Sequence, residues 1–166
     1  RARLLYRLVA YLDSKTILEL GTSLGIGTFS LALANADARI VSIEGCPELS
    51  KFTSHTLEAF DINNVNLKTG QFSEIIPTLK ENKLDLVFFD GHHDKAATLN
   101  YFNILLASAH NDSVYIFDDI HWSKGMTEAW ETIKQHPKVT VTIDTFYWGF
   151  VFFRKEQVKE HFVIRV

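Results

Sequence analysis

The sequence of 166 residues has one cysteine, one methionine, three prolines and eight glycines. Cys46 has no second thiol to pair with, so no internal disulfide forms, and a reducing, cytoplasmic setting is expected. Proline and glycine are too scarce for a fibrous or low-complexity chain. No run of about 18 consecutive apolar residues occurs, so no transmembrane helix and no membrane partner are expected. Basic charge is not in excess either. Seventeen Lys and Arg against twenty Asp and Glu leave a net charge of −3. The isoelectric point is about 6.2. Nucleic acid is therefore not the expected partner. The chain also begins without Met, at Arg1-Ala2-Arg3, and lacks the apolar stretch and cleavage site of a signal peptide. Leu4, Leu5, Leu8, Val9 and Leu12 recur at helical spacing. The expectation is a chain that enters within or just before an amphipathic helix and lacks upstream residues.

What is present is ordinary globular material. Hydrophobic residues make up 46% of the chain and aromatic residues 13%, which is enough to build a core. Length and composition predict a single domain over residues 1–166. Seven strand candidates appear: Thr16–Leu20, Arg39–Ile43, Val65–Lys68, Leu84–Phe89, Ser113–Phe117, Val139–Ile143 and Gly149–Phe153. Helical segments are predicted at Gly27–Ala34, Pro47–Phe60, Ser73–Glu81, Lys95–Ala109 and Ser123–Gln135. Such alternation implies an α/β fold, a doubly wound and mostly parallel sheet with helices on both faces. The last two strands are separated by five residues, too few for a parallel crossover, so the final strand should run antiparallel.

The turn after the first strand reads Glu19-Leu20-Gly21-Thr22-Ser23-Leu24-Gly25-Ile26-Gly27-Thr28. Glycines there permit a tight turn and close approach of a ligand. Glu44-Gly45 ends the second strand, where a carboxylate can accept hydrogen bonds from both ribose hydroxyls. The spacing G-x-x-x-G-x-G differs from the G-x-G-x-x-G of nicotinamide-dinucleotide sites. An acid two residues before the first glycine suits a cationic ligand end and opposes a pyrophosphate. S-adenosylmethionine, with an ammonium, a sulfonium and no phosphate, fits both features.

On these residues the chain resembles the class I S-adenosylmethionine-dependent methyltransferases, and the antiparallel ending matches their sheet. The resemblance implies a cofactor site of Glu19, Gly21, Thr22, Ser23, Gly25, Gly27, Thr28, Glu44 and Gly45. It adds Cys46 and, in the loop after the third strand, Gln71 and Phe72 near the adenine. Gln71 stands where that family often has an acid. Phe72 is read equally as an adenine-stacking ring and as a core residue.

Strands four and five end in Asp90-Gly91-His92-His93-Asp94-Lys95 and Asp118-Asp119-Ile120-His121-Trp122. Carboxylates converging at neighbouring strand ends would repel one another unless a cation joined them, and oxygen ligands suit Mg²⁺ or Mn²⁺. Asp90, Asp118 and Asp119 are the candidate metal ligands. A metal would acidify and aim a hydroxyl nucleophile, and a base would then take its proton. His92, His93, His121 and Lys95 are the base candidates. This arrangement resembles metal-dependent O-methyltransferases of the catechol, caffeoyl-CoA and macrolide-sugar types. It places Asp90 in both the cofactor and the metal set and implies a small-molecule hydroxyl substrate. A homodimer is also allowed. Two other readings stay open: a metal-independent methyltransferase using His93 or His121 as base, and a non-catalytic cofactor-binding module. The run Phe146-Tyr147-Trp148 is read either as a substrate wall or as hairpin core.

Overall fold

A computed structural model describes residues 1–79 and 83–165. The chain forms two compact units, Arg1–Glu81 and Asn82–Val166.

The first unit runs α1 (Ala2–Leu12), β1 (Thr16–Leu20), α2 (Ile26–Ala34), β2 (Arg39–Glu44), α3 (Pro47–Ala59), β3 (Val65–Thr69) and α4 (Phe72–Ile75). Its strands lie in the order β3-β2-β1, all parallel. β1 and β2 are buried almost throughout, with no inside-outside alternation, which is the pattern of strands covered on both faces. α1 turns Leu5 and Val9 inward and packs on α2. α3 opens with Pro47, whose missing N–H costs nothing in a first turn. The helix expected at Ser73–Glu81 is shorter than predicted. α4 gives way to a 3-10 turn over Ile76–Thr78. Pro77 has no N–H to bond back to Ser73, so the α-helical ladder cannot continue there. Residues 80 and 81 of that expected helix lie outside the described residues.

The second unit runs β4 (Leu84–Phe89), α5 (Lys95–Leu105), β5 (Ala109–Asp118), α6 (Lys124–Gln135), β6 (Val141–Asp144), β7 (Trp148–Phe152) and β8 (Glu160–Val163). The order is β4-β5-β7-β6-β8. β4 and β5 are parallel, and β7 runs antiparallel to both β5 and β6. The antiparallel ending expected from the short connection is present. The described residues hold eight strands rather than seven. β8 pairs parallel with β6, and all four of its residues are exposed. A strand without a buried face leaves no periodic apolar signal, which is why the sequence does not announce it.

Register fixes the functional edge of this unit. Phe89 pairs with Phe117, Asp118 with Trp148, and Asp144 with Gly149. The carboxyl ends of β4, β5 and β6 therefore lie along one edge, where ligands bind in open α/β sheets. Below it sits an aromatic core. Phe89 stacks on Phe117 with centroids 4.2 Å apart, and Trp130, Tyr115 and Phe102 are fully buried. Gly149 is part of this packing, because a Cβ there would lie 2.7 Å from the Trp130 ring. Gly149→Ala should displace the indole and cost about 1–3 kcal/mol in urea unfolding. Wild-type stability in that variant would contradict this packing.

Candidate functional site

In the first unit, β1 and β2 deliver two acids to the loop that follows β1. Glu44, at the end of β2, is 9% exposed. Its Oε2 accepts the Ser23 N–H at 2.8 Å, and its Oε1 accepts the Cys46 N–H, also at 2.8 Å. A carboxylate has about four acceptor positions, so two fixed donors leave capacity for a ligand's hydroxyls. The loop itself is held on both sides. Ser23 adopts a left-handed φ of 49°. Its N–H is tied to Glu44, and its carbonyl accepts the Thr53 hydroxyl at 2.9 Å. Gly25 has φ 84°, and a Cβ there would meet Thr53 Cγ2 at 2.9 Å, so only glycine suits both demands.

Glu19 is fully buried. Its Oε2 accepts hydroxyls from Thr28 and Ser42, each at 2.5 Å, and Ser42 also meets Thr22 Oγ1. Its Oε1 is buried without a partner. Burial pushes the carboxyl up from 4.5 to about 7. Hydrogen bonds from Ser42 and Thr28 restrain the rise, and the nearby Glu44 charge adds to it.

In the second unit, β5 ends at Asp118, which is 7% exposed, and Asp119 follows at a left-handed φ of 53°. Asp90 and His93 are half-buried, with Oδ1 and Nε2 3.9 Å apart. His92 has φ 67° and packs edge-on to Tyr101. Lys95, in the first turn of α5, pairs with Glu128 at 2.7 Å. His121 is half-buried, and its Nε2 lies 2.8 Å from Asp144 Oδ2. Among the described residues, no three His, Cys, Asp or Glu side chains are gathered closely enough to hold a metal ion.

A methyltransferase-domain family model matches residues 18–120, well over half of the chain. The chain belongs to this family. The matched span carries the glycine loop, Glu44, Asp90, Asp118 and Asp119. Solved structures show the same fold. One is the O-methyltransferase TomG from Streptomyces achromogenes, involved in tomaymycin synthesis and in complex with SAM. It has a TM-score of 0.79 and 22% identity over 92% of this chain and 79% of that one. An O-methyltransferase from Bacillus cereus in complex with SAH has a TM-score of 0.77 and 22% identity, covering 91% and 80%. SAH-bound methyltransferase PaMTH1 from Podospora anserina has a TM-score of 0.82 and 15% identity, covering 93% and 78%. No protein of curated function matches the sequence. The α/β methyltransferase fold expected from the motifs is the observed one.

The residues expected at the cofactor site divide by exposure. Gly21, Ser23, Gly27, Gly45, Cys46 and Gln71 present surface, whereas Glu19, Thr22, Gly25, Thr28 and Phe72 are buried. Glu19, expected to meet a cationic ligand end, reaches no surface in this conformation. It braces Thr28 of α2 and Ser42 of β2. Phe72 is 8% exposed, on the core side of its two readings. Phe146-Tyr147-Trp148 splits. Trp148 is 3% exposed, while Phe146 and Tyr147 are 63% and 54% exposed. The sequence reading missed Asp144. An isolated Asp at a strand end reads as a turn former, and only the pairing of β6 with β7 brings it to His121.

The Glu19 pKa makes stability depend on pH. Between pH 4.5 and 7 the folded chain keeps a proton that the unfolded chain releases, so stability falls as pH rises through that window. From pH 5 to pH 8 the wild type should lose about 2–3 kcal/mol relative to Glu19→Gln in urea unfolding. Equal pH slopes in the two proteins would contradict this.

Proposed function

We propose that residues 1–166 form one methyltransferase domain that moves the methyl group of S-adenosylmethionine to a hydroxyl of a small molecule in the cytoplasm. The observation that carries the cofactor reading is Glu44, held by two backbone N–H donors at the end of β2 with acceptor capacity to spare. Gly45 and Cys46 follow it in the chain, Ser23 is bonded to it, Gly21 donates its N–H to the neighbouring Ile43 carbonyl, and the space above Gly45 is open. These residues suit a nucleoside with two ribose hydroxyls, while Glu19, Thr28 and Ser42 keep the loop in shape. When bound, the cofactor supplies a methyl group already activated on a sulfonium.

The chain must then supply an oriented hydroxyl and a base. His121 is the base in this reading, because its Nε2 lies 2.8 Å from the Asp144 carboxylate. Lys95 is engaged by Glu128, and His93 has a contact of only 3.9 Å with Asp90. Asp90, Asp118 and Asp119 are not gathered closely enough to hold one Mg²⁺ or Mn²⁺ ion together. That two of the similar structures are O-methyltransferases supports transfer to oxygen.

Calorimetric titration of S-adenosylhomocysteine tests the cofactor site. Loss of two hydrogen bonds to a charged acceptor should weaken binding to Glu44→Ala at least tenfold, at about 1.5–3 kcal/mol each. Unchanged affinity would overturn the assignment. A companion titration with Mg²⁺ should give no heat in wild type, and saturable binding lost in Asp118→Ala would instead restore the metal reading.

A further inference from the structure

Asp144 sits at the end of β6, and its two oxygens meet three N–H groups. Oδ2 lies 2.8 Å from His121 Nε2 and 3.2 Å from Trp130 Nε1. Oδ1 accepts the Phe146 N–H at 2.8 Å. An indole nitrogen and a backbone amide can only donate, and an ionised carboxylate can only accept. The short contact at Nε2 is therefore a hydrogen bond that His121 donates. The remaining ring nitrogen, Nδ1, is left as the acceptor, with the Thr127 hydroxyl 3.3 Å away as its donor.

Each member of this group is held from elsewhere. Trp130 is 1% exposed, and its ring lies against Gly149, where a Cβ would come within 2.7 Å. Phe146 is forced to a φ of 73° by the turn that brings its N–H back to Oδ1, and its ring lies 5.5 Å from the His121 ring. The side chain of Asp144 is 13% exposed and that of His121 27%. Two fixed donors thus aim the carboxylate at a third, movable one. A carboxylate that served only to close the β6–β7 turn would need the Phe146 bond alone.

We infer that Asp144 is a positioning residue that fixes the proton of neutral His121 on Nε2 and turns the basic Nδ1 toward the Thr127 side. This inference rests on the reading of His121 as base, and it predicts which of its nitrogens receives the substrate proton. The reaction balances simply. The hydroxyl oxygen takes the methyl carbon, the C–S bond breaks to leave a neutral thioether, and the hydroxyl proton passes to the Nδ1 lone pair as the Thr127 hydroxyl turns away from it. Asp144 steadies the resulting imidazolium without taking the proton itself.

The test is ¹⁵N NMR of the His121 ring in the full chain, assigned by its loss in His121→Gln. Wild type should show the neutral ring protonated at Nε2, with a downfield, slowly exchanging proton. Asp144→Ala should lose that slow proton and give exchange-averaged nitrogens. The amide spectrum of Asp144→Ala should match wild type away from the β6–β7 turn, which guards against misfolding of that variant. A wild-type ring protonated at Nδ1, or one already averaged, overturns the inference. S-adenosylhomocysteine formation on a mixed panel of soluble phenols and monosaccharides separates this from the underlying reading. Asp144→Ala and His121→Gln should each lower turnover about 100-fold with cofactor affinity unchanged. Full turnover in His121→Gln would reject His121 as base while leaving the NMR result to decide the role of Asp144.

Discussion

A carboxylate removed from water has to be met by donors, and that requirement shapes both halves of this protein. An isolated buried charge is costly enough that it neutralises or finds partners. Glu44 is met by two backbone amides and so closes the loop after β1 onto β2. Asp144 is met by an imidazole, an indole and an amide, and so closes the β6–β7 turn onto α6 and the segment after β5. Glu19 is met by two hydroxyls on one oxygen, and its complete burial shifts its acid upward toward neutrality. The three acids differ in burial and in which of their oxygens are met.

Backbone strain follows the same plan. Ser23, His92, Asp119 and Phe146 all take left-handed φ values without being glycine, and all stand just beyond a strand's carboxyl end. Such conformations each cost of order 1 kcal/mol or more and persist where surrounding bonds over-determine them. Ser23 is held by Glu44 and Thr53, and Phe146 by Asp144. Ser23 and Phe146 are thus strained residues whose amides are held by an acid.

Much of this was legible in the sequence. Short, mostly apolar runs marked β1, β2, β4 and β5, because strands buried on both faces carry no regular polar alternation. Glycine spacing and Glu44 pointed to the cofactor loop, since tight turns and ribose recognition restrict residue choice strongly. Other features were hidden for physical reasons. β8 has no buried face to leave a pattern. The role of Glu19 turned on burial, which a motif does not encode. Asp118 and Asp119 are neighbours in sequence, yet one is buried and the other follows in a left-handed turn, so adjacency did not gather the three-acid cluster that their spacing invited. Asp144 lies 23 residues from His121, and only the antiparallel β6–β7 register joins them.

The central proposal is that this domain carries a methyl group from a sulfonium to oxygen. The most direct measurement follows the carbon itself. S-adenosylmethionine labelled with ¹³C in the methyl group is incubated with the protein and a range of hydroxylated small molecules, and the products are read by NMR. The account predicts a methyl-ether signal growing in step with S-adenosylhomocysteine. A label that appears on nitrogen or carbon would contradict it.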